Sequence, residues 1–295
     1  MIMKKFTDNI INMLGTEGRE WLDNLPLIID ELKAHWHLSA ITPVDNMTYN
    51  YVATALLNHN ERVALKIGFN KKCLFEEESA IQYFDGHGCI KLINYSEKHN
   101  ALLMQQAIPG NTLKTLYPIH ADLVIGLYAD TMQKLHSKPA YTADSFPLVK
   151  DWLTAIYHAP VERIPKSLLD KAISLKNELL SSSKTQRVLH GDLHHDNILH
   201  SGDEWIAIDP KGIIGEPAFE AAAFDFIHPT ELTSSIDVAK LFTQRADLLA
   251  KLANIDAQRL KDWVFVRLIL SAAWHIEDNG DPRSALDLAT QVFSR

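Results

Sequence analysis

The chain has 295 residues, 46% hydrophobic and 22% charged, the make-up of an ordinary globular protein with room for two lobes. A formal net charge of -8 argues against nucleic acid as a main partner, because phosphate recognition needs a basic face. Cys73 and Cys89 form neither a C-x-x-C pair nor a disulfide framework. The opening "MIMKKFTDNIINMLG" is too polar at Thr7, Asp8, Asn9 and Asn12 for a signal-peptide core, and no run reaches membrane-spanning length, so a cytoplasmic monomer or dimer is expected.

Trp21, Leu22, Leu25, Ile28, Ile29 and Leu32 recur at spacings of three and four and predict a helix over 16–36, with Pro26 as the start of a second one. "HLSAITPV", "YVATALLN" and "RVALKIGF" read as strands, the last two joined by a hairpin turn at "NHNE". "EEESAIQYFDGHG" reads as a helix closed by Gly86 and Gly88, and "CIKLINYSEKHNALLMQQAI" as two more strands. Residues 36–107 therefore predict an antiparallel sheet of about five strands with one helix inserted after the third.

"PGNTL" breaks this pattern and helices follow. "IHADLVIGLYADTMQKLHSK" should end before Pro139, and "IPKSLLDKAISLKNELLSSSK" should begin after Pro165. "FEAAAFDFI", "DVAKLFTQRADLLAKLAN", "AQRLKDWVFVRLILSAAWHIED" and "ALDLATQVF" predict four more. The expected class is α+β: a sheet lobe over residues 1–107, with extra N-terminal helices, and a larger, mainly helical lobe over 108–295.

The chemistry is concentrated in "VLHGDLHHDNILHSGDEWIAIDP", residues 188 to 210, which puts four His, five acidic residues and one Asn between two apolar runs. "RVLH" and "WIAIDP" predict two strands around a loop. One reading is a hydrolytic zinc or iron centre at His190, Asp192, His194, His195 and Asp196. The other is phosphoryl transfer. Asp192 would accept the proton of an attacking hydroxyl, and Asn197 and Asp209 would offer oxygen ligands to magnesium. The hydrolase reading leaves Lys66 in "VALKIGF" and the "IDP" strand unexplained. His190 is expected to hydrogen-bond backbone within the loop, and His200 to sit at a strand edge.

"HGDLHHDN" followed by "IDP" resembles the catalytic loop and metal motif of the aminoglycoside phosphotransferase family in the protein-kinase-like superfamily. "IDPKGIIGEPAFEAAAF" is similar to that family's segment after the metal Asp, and "DGHG" and "PGNTL" are similar to segments of its streptomycin and hydroxyurea kinase branch. The resemblance runs from about residue 44 to about residue 226 and implies a bilobal protein-kinase-like fold. It also implies ATP or GTP with magnesium, and transfer to a hydroxyl of a small, cationic molecule. An aminoglycoside of the streptomycin type is the first expectation, a metabolic sugar or amino alcohol the second, and a nucleotide-binding pseudokinase the alternative without catalysis. No A-P-E element follows "IDP", so a protein substrate is not expected.

Residue by residue, the resemblance makes Asp192 catalytic and Asn197 and Asp209 the metal ligands. Lys66 is the phosphate anchor, with Glu77 as its partner, Glu78 second and Glu76 solvated. The backbone of Gln105 and Ala107 reads the adenine, and Met104 lines that pocket or the core. Thr48 or Asn50 covers the phosphates, in a loop, "VDNMTYNYV", that has no Gly. Glu216, Glu220 and Asp225 are candidates to meet acceptor cations, with bracing of the catalytic loop the other reading for Glu216 and Asp225. Trp274, Glu277 and Asp278 offer an aromatic wall with carboxylates.

Overall fold

Residues 2–138 and 146–293 are described by the structure, a computed structural model. The chain divides into two units, Met1–Gly110 and Asn111–Arg295.

In the first unit, strands β1 (Leu38–Pro43), β2 (Tyr51–Leu57), β3 (Glu61–Ile67), β4 (Leu92–Ser96) and β5 (Ala101–Gln105) form one antiparallel sheet in the order β1-β2-β3-β5-β4. Helix α1 (Ile2–His35) buries Phe6, Ile10, Leu25 and Leu32 in a core with Ala53, Ala55, Val63, Leu65 and Ile67 of β2 and β3. Strand alternation then turns Lys66 to the opposite face from Leu65 and Ile67.

The expected helix over 16–36 is the second of two helical stretches that α1 joins across a break at Gly15, and Pro26 lies inside it rather than starting a new helix. Gly15 adopts φ 59°, ψ -123°, open to glycine without a Cβ penalty. Pro26 removes one donor from the helix ladder but stays inside, where burial of Leu25 and Leu32 on one stripe outweighs local propensity. In the three-residue connection between β2 and β3, Asn58 and His59 both have positive φ, and the Asn60 N–H closes the turn on the Leu57 carbonyl at 3.2 Å. Helix α2 (Lys71–Phe84) starts five residues before the expected Glu76, because the Asn70 side chain accepts the Cys73 N–H at 3.1 Å as an N-cap.

Strand β6 (Pro109–Thr112) runs across the unit boundary. In the second unit follow α3 (Ala121–Leu135), the single turns α4 (Val149–Trp152) and α5 (Ala155–His158), and α6 (Lys166–Ser182). Next come β7 (Arg187–Leu189), β8 (Ile198–Ser201), β9 (Glu204–Ala207), β10 (Ile213–Gly215) and α7 (Pro217–Ala221). The described chain closes with α8 (Val238–Ala253), α9 (Ala257–Glu277) and α10 (Arg283–Phe293). α9 is buried along most of its length and packs against α5, α6, α7, α8 and α10, which makes it the axis of the helical core. Pro139 lies outside the described residues.

Two expectations are corrected here. "RVLH" and "WIAIDP" do not flank a simple loop: β7 pairs with β10, while β9 pairs with β8 through a tight hairpin at Gly202-Asp203, where Gly202 has φ 61°. "FEAAAFDFI" is helical only through Ala221. Downstream, the Phe226 carbonyl accepts from the Tyr117 hydroxyl at 2.6 Å and Arg245 Nη1 at 2.8 Å, so side chains satisfy the backbone where a helix ladder would have.

Candidate active site

In the first unit, Lys66 Nζ donates to Glu77 Oε1 at 2.8 Å and Oε2 at 2.7 Å, and both side chains are buried. Strand alternation aims Lys66 away from the α1 face, and Glu77 stands on the buried side of α2. Glu78, also buried, accepts from Gln82 and Ser79 instead, and burial pushes its carboxyl up. Glu76 lies at the surface, 3.8 Å from Lys72.

The Thr48 carbonyl accepts from the Asn9 side chain of α1 at 3.1 Å. Asn50 Oδ1 lies beside Gly68, only 3.0 Å from where a Cβ there would stand. The Gln105 N–H is taken by the Lys91 carbonyl at 3.0 Å, so backbone recognition of a ligand at Gln105 falls to its carbonyl. Met104 is buried, and the Ala107 carbonyl faces Gly110, whose φ is 82°.

In the second unit, the loop after β7 is held by side chains that the sequence scatters widely. Glu220 is fully buried on α7 and accepts the backbone N–H groups of both His190 and Gly191, the latter at 3.0 Å. Burial works to raise its carboxyl, but His136 and the Arg267 guanidinium act against this, and the carboxyl lies below the ordinary value. His190 Nδ1 accepts the Asp192 N–H at 3.2 Å, so its proton sits on Nε2, which donates to the Ile208 carbonyl at 2.8 Å. The ring is therefore neutral and ties the Asp192 loop to the residue before Asp209.

Asn197 Nδ2 donates to the Asp192 carbonyl at 2.9 Å. The Asp192 backbone is thus fixed while its side chain stays 41% exposed. Tyr128, buried on α3, places its hydroxyl 2.9 Å from the Leu193 carbonyl and 3.0 Å from that of Glu220. The Arg267 guanidinium lies over the Phe219 ring and 3.5 Å from the Gly191 carbonyl. Sequence reasoning passed over Tyr128 and Arg267, which have no local motif. Their one signal is position, a Tyr on the buried stripe of an amphipathic helix and an Arg inside an apolar one.

Asp192, His194, Asp225, Arg267, Ser271 and Trp274 line a cavity of about 460 Å³ with otherwise apolar walls. Of the residues expected to meet the acceptor, Trp274 is on this wall, and its ring packs edge-on against Trp152 at 5.5 Å. Glu277 and Asp278 are not among the lining residues. Glu216 and Glu220 are not brought to it either, since both carboxylates are consumed inside the protein. Glu216 binds Arg259 through both oxygens at 2.8 Å and accepts the Trp263 indole N–H.

The residues present fit a hard cation. Asn197 spends its amide nitrogen on the Asp192 carbonyl, so its oxygen is the end that could meet a cation. Asp209 adds a carboxylate from backbone at φ 61°, a region Asp tolerates better than most residues. Oxygen donors of this kind suit magnesium, which completes its shell with water and phosphate oxygens. The hydrolytic alternative does not fit. Among the described residues no three His, Cys, Asp or Glu side chains are placed to hold a metal ion. His190 and His195 are buried, and Asp196 pairs with Lys114 at 2.6 Å. Among the described residues no helix is long and apolar enough to cross a membrane.

The fold is that of the aminoglycoside phosphotransferases. A thermostable mutant of aminoglycoside phosphotransferase APH(4)-Ia, in ternary complex with ADP and hygromycin B, superposes with a TM-score of 0.64 over 89% of this chain and 96% of that one, at 12% identity. The family model described as aminoglycoside/hydroxyurea antibiotic resistance kinase matches residues 35–279; the chain belongs to this family and is a small-molecule kinase. It is 27% identical to the streptomycin 6-kinase of Streptomyces glaucescens over 292 residues, 95% of this chain and 92% of that protein. It is 29% identical to the streptomycin 3''-kinase of Klebsiella pneumoniae over 222 residues, 73% of this chain and 81% of that one.

Proposed function

We propose that the chain transfers the γ-phosphoryl group of ATP to a hydroxyl of a small cationic molecule, an aminoglycoside of the streptomycin type in the first place. The observation that carries this reading is Asp192, whose backbone is pinned by His190 and Asn197 while its carboxylate stays exposed on the cavity. The acceptor hydroxyl oxygen bonds to the γ-phosphorus, the bond to the β-phosphate bridging oxygen breaks, ADP leaves, and Asp192 takes the hydroxyl proton.

The first unit is the nucleotide-binding part of this reading. Lys66, steadied by Glu77, binds α- and β-phosphate oxygens, Thr48 or Asn50 covers the phosphates, and backbone at Gln105 and Ala107 reads the adenine. The second unit binds the acceptor. Asn197 and Asp209 are the residues that would hold magnesium, which when bound offsets the phosphate charge. Positioning and charge neutralisation supply most of the rate. A cytoplasmic location is part of this reading, because ATP is its phosphoryl donor.

An amino alcohol is the second acceptor class, favoured by one observation: Phe224, Phe226, Ile227, Phe242 and Val264 make much of the cavity wall apolar. The test is ADP release with ATP and magnesium across a panel of aminoglycosides, sugars and amino alcohols. Release that depends on one acceptor and is lost in Asp192→Ala supports the reading. Equal release from Asp192→Ala overturns it.

A further inference from the structure

His195 is buried, yet only one of its ring nitrogens is satisfied. Nδ1 lies 3.2 Å from Asp225 Oδ2, and Nε2 has no hydrogen-bond partner. The ring is fixed between Tyr117, 4.6 Å away at 31°, and Phe224, 4.5 Å away at 55°. Tyr117 is itself clamped: its hydroxyl donates to the Phe226 carbonyl at 2.6 Å and accepts from Arg245 Nη1 at 2.8 Å, and Arg245 pairs with Glu231 at 2.6 Å. Burying an imidazole with half its polar capacity unmet costs stability, and the one polar return is the bond to Asp225. A rigid stack that ends in a single hydrogen bond fixes the direction of one carboxylate.

That carboxylate faces the cavity. Asp225 keeps 59% of its side chain exposed. Among the carboxylates on the cavity wall are Asp192 and Asp225, and the reaction engages Asp192 with the acceptor hydroxyl. Glu216 and Glu220 are spent inside the protein. Arg267, the strong cation on the wall, is drawn back over Phe219 and toward the Gly191 carbonyl. Trp274 adds an aromatic surface to the same wall, a feature that suits organic cations.

We propose that Asp225 binds an ammonium or guanidinium group of the acceptor beside Asp192, and that His195 is the positioning residue that holds it there. The assignment rests on the kinase reading above and deepens it. It fixes a cation on the acceptor a short span from the hydroxyl that is phosphorylated.

The test uses the full-length protein, ATP with magnesium, and streptomycin, which carries guanidinium groups, as the probe. Asp225→Asn keeps the shape and removes the charge. It should raise KM for streptomycin about tenfold or more while KM for ATP stays put. His195→Ala should shift KM for streptomycin the same way. His195→Asn, whose amide nitrogen stands near the place of Nδ1, should recover part of the loss, a rescue that general loosening of the core would not give. Melting curves establish that the variants are folded, and Asp225→Asn, at the surface, carries the test should His195→Ala not fold. An unchanged KM for streptomycin in Asp225→Asn overturns this assignment and leaves the kinase reading standing. A native enzyme that phosphorylates streptomycin but no better than its uncharged hydroxyl analogues also overturns the assignment alone. A native enzyme that phosphorylates no member of the acceptor panel overturns the kinase reading, and the assignment with it.

Discussion

Lys66 Nζ sits within 2.8 Å of both carboxylate oxygens of Glu77, and neither side chain reaches solvent to any extent. An ion pair this deep contributes little net stability, because desolvation offsets most of the attraction, but removing one partner is expensive. Glu77→Ala should lower the free energy of unfolding by about 3 kcal/mol in a urea titration. The double variant Lys66→Met/Glu77→Leu should recover most of that stability. Calorimetric titration with ATP should nevertheless show weakened binding in both. Native-like ATP affinity in the double variant would remove Lys66 from the phosphate site.

Glu220 joins α7 to the loop that carries Asp192 by accepting two successive backbone N–H groups. An amide in its place has one acceptor oxygen and a donor group, so one buried N–H loses its partner and meets another N–H. Glu220→Gln should therefore cost about 1–3 kcal/mol of stability. It should also lower kcat by tenfold or more, as the loop geometry loosens by a fraction of an ångström. Chemical denaturation and steady-state turnover on the same preparation check both. A variant with full stability and full kcat would show that the double hydrogen bond has no part in setting the loop.

His190 gives the fold an acid-sensitive point. Its ring is buried and neutral, one nitrogen accepting and the other donating, and burial pulls its pKa below the ordinary 6.5. Below pH 6.5 the unfolded chain takes up a proton that the folded chain refuses, so stability rises with pH through this window. The contribution is fully present above 6.5 and is lost as the pH falls toward the lowered folded value. Melting temperature should accordingly drop between pH 7 and pH 5, about the range in which a free histidine titrates. His190→Gln should flatten that slope whatever its effect on absolute stability. An identical slope in the variant would assign the acid sensitivity to other groups.

The main features were legible because each leaves a local trace. The family resemblance picked out Lys66 in "VALKIGF" and pointed to the helix after β3 for its acidic partner, where Glu77 meets it. The five-strand sheet with one inserted helix followed from period-two runs and their turns. What escaped was set by contacts across long stretches of chain. Helix α2 starts at the Asn70 cap rather than where the acidic residues begin. α7 ends at Ala221 as the chain leaves the helical ladder for partners as far off in sequence as Tyr117 and Arg245. Four-residue β8 is too short to carry a period of its own and exists through its pairing with β9. In the site, acidic side chains could be picked out by type, but not which way they turn. Only packing distinguishes Glu216 and Glu220, folded inward, from Asp225, turned to the cavity.

Glu216 supplies a direct check of that distinction. Its oxygens receive Arg259 Nε and Nη2 and the Trp263 indole N–H, and Arg259 continues to the Leu179 carbonyl at 2.6 Å and the Ser182 hydroxyl at 2.8 Å. One carboxylate thus ties α7 to α9 and, through Arg259, to the end of α6. Glu216→Gln keeps the volume but weakens a charge-assisted fork into a neutral contact and sets an NH₂ group against a donor. The expected loss is about 1.5–3 kcal/mol of stability, read as a lower urea midpoint. KM for the acceptor should stay within about twofold, since a carboxylate held by Arg259 and Trp263 is not among the residues that line the Asp192 cavity. A large rise in KM with unchanged stability would reverse the assignment and put Glu216 back in the acceptor site.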